Sequence, residues 1–436
     1  MSNPSQPSRR DVLKTGAATM AAIPLTSAAM AAQDEAQDAP KNAGVHQGGN
    51  DVLKVGLIGC GGRGTGAAAN ALRADPETKL VAMADLFSVQ IERSHESLLK
   101  TDVAARIDVP AERRFLGFDA FEHVVDFCDV VLLTSAPYFR PKHLAHAIEK
   151  GKHVFCEKPV ATDAFGIRSI IETVEKARQK KLAIVSGLCY RYHKPKIDTM
   201  RRIHEGAIGD ILALQATYHA SGLWHRGDDP SWTPLEKQLR NWTYYTWLAG
   251  DIIAEQHIHS LDKIAWAMGN VYPIAATASG GRIQRTDPKY GNVYDHFSTV
   301  YEFPGGVKGF SSCRQWDGCT NDVSDFAIGT RGIAALQSHR ISGENKWRFE
   351  GKGGNMYDDE HVALFESIRK GEPINNGEYM WKSTLMALLG RMSAYTGKRI
   401  TWDEALASQE RLGPKSMEDV DFEPMPVAVP GVRAFV

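Results

Sequence analysis

Cysteine is sparse and scattered. Cys60, Cys128, Cys156, Cys189, Cys313 and Cys319 are spread through 436 residues with no Cys-x-x-Cys pair, which argues against a disulfide framework and suits small core residues. No apolar run reaches the roughly 18–20 residues that span a bilayer. Charge of one sign is also missing: 51 Lys and Arg against 52 Asp and Glu leave a formal net charge of −1, without the basic excess that nucleic acid attracts. Internal repeats and low-complexity tracts are absent from the body of the chain. What remains, 43% hydrophobic and 24% charged residues, is the composition of a globular protein long enough for two or three domains.

The first residues read as an address. Ser8-Arg9-Arg10-Asp11-Val12-Leu13-Lys14 precedes a mildly apolar stretch from Thr15 to Met30 and an Ala29-Met30-Ala31 site. Paired arginines, a weakly hydrophobic core and a small-residue cleavage site in that order predict a twin-arginine signal over residues 1–32, with the twin-arginine translocase as a transient partner. Val12 stands where such signals usually carry Phe. The chain is therefore expected to be exported, periplasmic or beyond, and to fold before export with its cofactor already held. Residues 33–51 are polar and aperiodic, a linker.

From residue 52 the pattern is α/β. Apolar runs at Val52–Ile58, Leu80–Ala84, Val130–Thr134, His153–Cys156 and Ala183–Ser186 alternate with helical stretches such as Thr65–Ala74, His143–Lys150 and Ala164–Lys180, which predicts a doubly wound parallel sheet over residues 52–187. Residues 188–436 read as an α+β domain with a large open, mainly antiparallel sheet. Its expected strands are Ile211–Tyr218, Ile274–Ser279, His296–Phe303, Val307–Cys313 and Val323–Gly329. Residues 224–247 hold Trp224, Trp232, Trp242 and Trp247 beside Tyr244 and Tyr245; such rings either fill a core or stack on sugar faces.

The sequence Gly59-Cys60-Gly61-Gly62-Arg63-Gly64 places a Gly-x-Gly-x-x-Gly fingerprint between the first strand and its helix, the context that makes this motif a dinucleotide site. Gly59 permits the tight turn, Gly61 lets backbone approach a pyrophosphate, and Gly64 allows close helix packing at the anion-binding helix N-terminus. Asp85 ends the second strand, where a carboxylate accepts ribose hydroxyls and repels a 2′-phosphate, so NAD is expected over NADP.

Cys156-Glu157-Lys158-Pro159, after Lys150-Gly151-Lys152-His153-Val154-Phe155, resembles the glucose–fructose oxidoreductase, inositol dehydrogenase and rhizopine-catabolism (Gfo/Idh/MocA) family. Thr134-Ser135-Ala136-Pro137, His143, Tyr190-Arg191-Tyr192 and Glu205-Gly206-Ala207-Ile208-Gly209 extend the likeness, which covers roughly residues 52–403. The resemblance implies a Rossmann domain followed by a substrate-binding domain, a homo-oligomer, and a sugar or polyol substrate. It adds Ser135, Pro137, Glu157 and Lys158 to the cofactor site, and Arg191, Tyr192, His257, His259 and Asp262 with Lys158 to the substrate side. The family's Asp-x-Gly-x-His-x-x-Asp segment maps onto Glu255-Gln256-His257-Ile258-His259-Ser260-Leu261-Asp262, with Glu255 replacing Asp and His257 replacing Gly.

Oxidising a secondary alcohol with NAD requires a base for the hydroxyl proton. Lys158 and His259 are the candidates, and a helix over 255–262 would let Glu255 orient His259 from four residues away. Other readings stay open. His257, His259, Glu255 and Asp262 are residue types that bind zinc, although the family chemistry needs no metal. NAD-dependent glycoside hydrolysis by transient oxidation and elimination is a second enzyme reading, and a binding protein holding NAD structurally is a third. His361, in an acidic stretch, is expected on a surface helix.

Overall fold

The computed structural model describes residues 51–436. The signal expected at 1–32 and nearly all of the expected linker lie outside the described residues. Continuous apolar runs form the first sheet because strands covered on both faces need no polar side: Val130-Val131-Leu132-Leu133 is buried throughout. The order along the chain is β1 (Leu53–Ile58), α1 (Gly62–Ala74), β2 (Thr78–Asp85), α2 (Ser88–Leu98), β3 (Arg114–Leu116), α3 (Ala120–Phe127), β4 (Val130–Leu133), α4 (Arg140–Glu149), β5 (His153–Cys156), α5 (Ala164–Gln179) and β6 (Ile184–Ser186). The strands pair in parallel in the order β3-β2-β1-β4-β5-β6. The order reverses at β1 and β4, the crevice where such sheets bind ligands.

The second sheet follows α6 (Lys194–His204). Its elements are β7 (Ile211–Ala220), α7 (Pro234–Arg240), α8 (Thr246–Ala249), α9 (Ile252–Glu255), α10 (Ile258–Ala267), β8 (Ala275–Gly281), β9 (His296–Glu302), β10 (Lys308–Gln315), β11 (Asp322–Gly329), β12 (Gly332–Ala335), β13 (Arg340–Gly343), β14 (Trp347–Arg348), α11 (Met356–Arg369), α12 (Gly377–Thr396), β15 (Ile400–Thr401) and α13 (Trp402–Ala407). Nine strands lie in the order β14-β13-β12-β11-β7-β10-β9-β8-β15, antiparallel except where β10 runs parallel to β7. Burial alternates along β9 and β10, so one face packs on helices while side chains such as Phe310 stand outward. Among the described residues no helix is long and apolar enough to cross a membrane.

The chain then returns to the first sheet. Helix α11 packs Leu364, Phe365 and Ile368 into the same apolar cluster as Leu53, Val55, Leu57 and Leu72. Asn70 donates to Asp358 at 2.5 Å and Arg369 binds Asp75 at 2.8 Å. Residues 374–376 then lie beside β6, where Ile184 N donates to Ile374 O and Asn376 N donates to Ile184 O, each at 2.8 Å. His361 is therefore buried against Phe155, with ring centroids 4.3 Å apart, and not on the surface as its acidic neighbours suggest.

Candidate active site and dinucleotide cleft

The turn from β1 into α1 holds a backbone shape that only glycine accepts comfortably. Gly59 sits at φ +95°, where an added Cβ would meet Ser135 N at 2.4 Å, and a Cβ on Gly64 would strike Gly59 O at 1.9 Å. Loop and helix thus close directly onto the end of β4. At Gly61 and Gly62 an added Cβ would meet nothing within 4 Å, and both line a cavity of about 530 Å³ at the start of α1. The missing side chains leave room for an anion at a helix N-terminus, so the residues fit a dinucleotide pyrophosphate.

Asp85 closes the same cavity at the end of β2. Its oxygens accept the amides of Cys60 (2.7 Å) and Phe87 (3.0 Å), which fixes the carboxylate against the glycine loop. Burial raises its pKa, and those amides oppose the rise. Thr134 ties β4 to the loop by donating to Gly59 O at 2.6 Å. Ser135 is on the cavity wall and pairs with His143 Nδ1 at 3.2 Å. Burial drives the His143 imidazole down to about 3, so it is neutral. Gly59, Gly61, Gly62, Arg63, Gly64, Asp85 and Ser135 all line this cavity, whereas Pro137, Glu157 and Lys158 are not on its wall.

Arg63 and Glu157 are engaged with each other. The Arg63 guanidinium pairs with Glu157 and, at 2.9 Å, with Glu360 of α11, under the ring of Tyr357. Burial alone would raise the Glu157 carboxyl, but Arg63, Lys158 and Arg140 hold it below the usual range. Glu360 is pushed well above that range by burial and by Glu157. Two carboxyl groups thus share the Arg63 guanidinium, with the charge favoured on Glu157.

Lys158 projects the other way, into the second domain. Its Nζ donates to the Glu255 carbonyl and lies 3.6 Å from the Glu255 carboxylate. The expected helix over 255–262 is broken: α9 ends at Glu255, and α10 begins at Ile258 after a turn at Gln256 and His257. Glu255 therefore positions Lys158 rather than His259. His259, partly buried at the start of α10, stands edge-on to Tyr190 with centroids 5.2 Å apart, and its Nδ1 has no hydrogen-bond partner. Burial, reinforced by the charges of Lys158, Lys263, Arg63 and Lys196, holds its imidazole well below the usual range.

His257 and His259 face different neighbours, for His257 is fully buried and shares a 2.7 Å hydrogen bond with Ser311 of β10. Among the described residues no three His, Cys, Asp or Glu converge as metal ligands. Arg191 and Asp262, expected at the substrate, occupy one another: Arg191 makes a bidentate pair at 2.7 and 2.8 Å between the rings of Trp266 and Tyr379, and Ser383 donates to Asp262 at 2.7 Å. Tyr192 donates to Asn376 at 2.7 Å. These three brace the junction of α10, α12 and the returning segment.

Residues 53–185 match the model of the GFO/IDH/MocA oxidoreductase family with its NAD-binding Rossmann fold, and residues 198–335 match that family's C-terminal domain. The chain belongs to the GFO/IDH/MocA oxidoreductase family. It is 27% identical over 339 residues to an inositol 2-dehydrogenase of Burkholderia cenocepacia, covering 73% of this chain and 87% of that one. It is 25% identical over 226 residues to a 2,7-anhydro-N-acetylneuraminate hydratase of Escherichia coli, where the match spans 50% of this chain and only 55% of the relative. Among solved structures, the aldose–aldose oxidoreductase of Caulobacter crescentus shares the fold with a TM-score of 0.62 at 18% identity, over 80% of this chain and 99% of that one.

Within this family frame, some of the cavity wall was not expected. Phe87, Phe118 and Phe139 come from first-domain connections and Arg93 from α2, while Trp224, Arg226, Trp232, Arg240 and Trp242 come from the stretch after β7. Three tryptophans of the aromatic-rich segment thus face the glycine-loop cavity, and Trp247 is buried in the cluster beneath. A run of aromatics and arginines in a loop between a strand and a short helix was the available signal, and it did not reveal which cleft the loop covers.

Proposed function

We propose that this GFO/IDH/MocA protein oxidises or reduces a secondary hydroxyl or ketone of a sugar, polyol or sugar derivative, using NAD held tightly in the β1–α1 cleft. Its family makes it an NAD(P)-dependent oxidoreductase acting on CH–OH groups. The substrate class is supported by likeness to an inositol dehydrogenase and, in fold, to an aldose–aldose oxidoreductase. The observation that carries the reading is the meeting of Lys158, just past the end of β5, with Glu255 at the end of α9, beside the half-buried His259 at the start of α10, whose imidazole feels the Lys158 charge.

NAD, when bound, accepts or returns a hydride at its nicotinamide ring. The chain's own groups move the proton. Glu255 holds the Lys158 ammonium on the face it shares with His259, so a substrate hydroxyl between them donates to the neutral imidazole while Lys158 steadies the developing alkoxide. In the reverse direction the proton returns to the carbonyl oxygen. A redox-neutral variant, oxidation followed by elimination, is the second reading, and likeness to a hydratase favours keeping it.

The test is to recover the protein from the periplasmic fraction, where the Arg9-Arg10 signal would deliver it, and to identify its extracted nucleotide by mass spectrometry. A sugar and polyol screen then follows cofactor absorbance in single turnovers. NAD in the extract and a change with at least one polyol are expected; protein without nucleotide, inert to every polyhydroxyl compound, would overturn the reading.

Asp85 supports NAD over NADP because its fixed carboxylate meets the adenosine ribose. Asp85→Ala is expected to narrow the ratio of NAD to NADP affinity by about tenfold or more, the scale of one unscreened like-charge contact. Titration of both dinucleotides into stripped protein checks this, and a wild type that prefers NADP would contradict it.

A further inference from the structure

The dinucleotide cavity has two walls from different parts of the chain. The inner wall is the glycine loop, Asp85 and the loop after β4; the outer wall is residues 221–242, between β7 and α8. This outer segment is anchored independently of any ligand. Asn241 accepts Arg226 N at 2.8 Å and donates to Gly227 O at 3.2 Å, folding the loop on itself. Gln238 reaches Phe422 O at 2.6 Å, Leu235 N donates to Val420 O at 3.0 Å, and Tyr244 donates to Leu223 O at 2.8 Å. The segment is thus held between the second domain and the C-terminal tail.

Its inner side carries the chemistry of a nucleotide clamp. The Arg240 guanidinium lies between two rings, 4.1 Å from the Phe87 centroid in the first domain and 4.7 Å from that of Trp232, and is steadied by Glu236 at 2.7 Å. Arg226 lies 4.3 Å from the ring of Trp224. Four arginines (Arg63, Arg93, Arg226 and Arg240) and a single carboxylate, Asp85, line the cavity. Cations and flat rings in one cleft suit a diphosphate and a purine together. Trp232–Arg240–Phe87 is also a bridge between the segment and the loop that follows β2, joining the two walls of the cavity.

We infer that residues 221–242 are the outer half of the adenosine site and hold the dinucleotide in place through turnover, with Arg240 and Trp232 as cofactor-binding residues. The inference rests on the NAD reading above. Release requires the Trp232–Arg240–Phe87 stack to part, so the dinucleotide leaves more slowly than the enzyme turns over.

The test loads the purified protein with NADH, chases with excess NAD, and follows the decay of bound nicotinamide fluorescence. Arg240→Ala and Trp232→Ala are expected to release NADH at least about tenfold faster than wild type, the effect of one desolvated cation–π contact, and Trp232→Phe to restore slow release. ADP-ribose, which lacks nicotinamide, should lose affinity in parallel, whereas nicotinamide mononucleotide should not. Melting curves identify any variant that misfolds, and partly exposed Trp224→Ala then replaces it. Release at the wild-type rate by folded variants, or release by wild type within a single turnover, would overturn the clamp while leaving NAD binding intact. Wild type that binds neither NADH nor NADPH would instead overturn the cofactor reading and the clamp with it.

Discussion

Lys158→Met and His259→Ala are each expected to slow turnover about a hundredfold or more, the scale of a removed general acid–base group, with the dinucleotide still bound. Lys158 follows β5 of the first sheet and His259 opens α10 of the second domain, and Glu255, which ends α9, holds Lys158 on the second-domain side. The pH profile separates catalysis from mere structure. The pKa of His259 is held well below the usual histidine range by burial and nearby cations, so its imidazole is already neutral at pH 6.5 and stays so as the pH falls further. Oxidation by the wild type should therefore show no acid limb near pH 6.5. Near-normal rates in both variants would refute the assignment, whereas a limb near 6.5 that His259→Ala abolishes would keep His259 as the base and contradict only its lowered pKa.

The second large effect is on stability. Lys263 sits one turn beyond His259 on α10 and pairs with Asp325 of β11, both side chains fully buried. Lys263 also donates to Gln337 at 2.7 Å, and neither Asp325 oxygen has another hydrogen-bond partner. Lys263→Met strands the carboxylate, and breaking such a pair from one side costs about 3–5 kcal/mol. Lys196 is brought down to about 7 by burial and, after it, by Lys263; the substitution removes only the second of these. Lys263→Met with Asp325→Leu should recover most of the lost stability, because no charge is then left unpaired. Chemical denaturation of the three forms checks this, and a single variant as stable as wild type would contradict it. The change also removes one cation that holds His259 down, so an acid limb should move toward pH 6.5 in any Lys263→Met protein that still turns over.

How far the chain could be read in advance followed from how each segment is buried. Parallel strands covered on both faces, such as Val130–Leu133, announce themselves as unbroken apolar runs, and the glycine loop follows one of them. Short strands did not: Arg114–Leu116 and Gly332–Ala335 are three and four residues long, with partly exposed side chains. The helix expected over 255–262 failed because period alone does not report a turn at Gln256, and Glu255 was consequently given the wrong partner. Arg191 and Asp262 were legible as a motif but not as a pair, since each is satisfied by a residue 71 positions away. His361 was misplaced because Asp358, Asp359 and Glu360 look solvated; the cation that draws Glu360 inside is Arg63, in the glycine loop.

The return of α11 to the first sheet sets a timetable for biosynthesis. Arg63 emerges from the ribosome long before Glu360, and β6 gains its outer neighbour only with residues 374–376. At about 5–20 residues per second, roughly ten to forty seconds separate the last strand of the nucleotide domain from the helix that covers it. Until then the apolar flank of β1 and α1 that receives Leu364, Phe365 and Ile368 is bare. The half of the molecule made first therefore waits, incomplete, while eight of the nine strands of the second sheet are made, and for that interval the nascent chain presents a surface suited to chaperones.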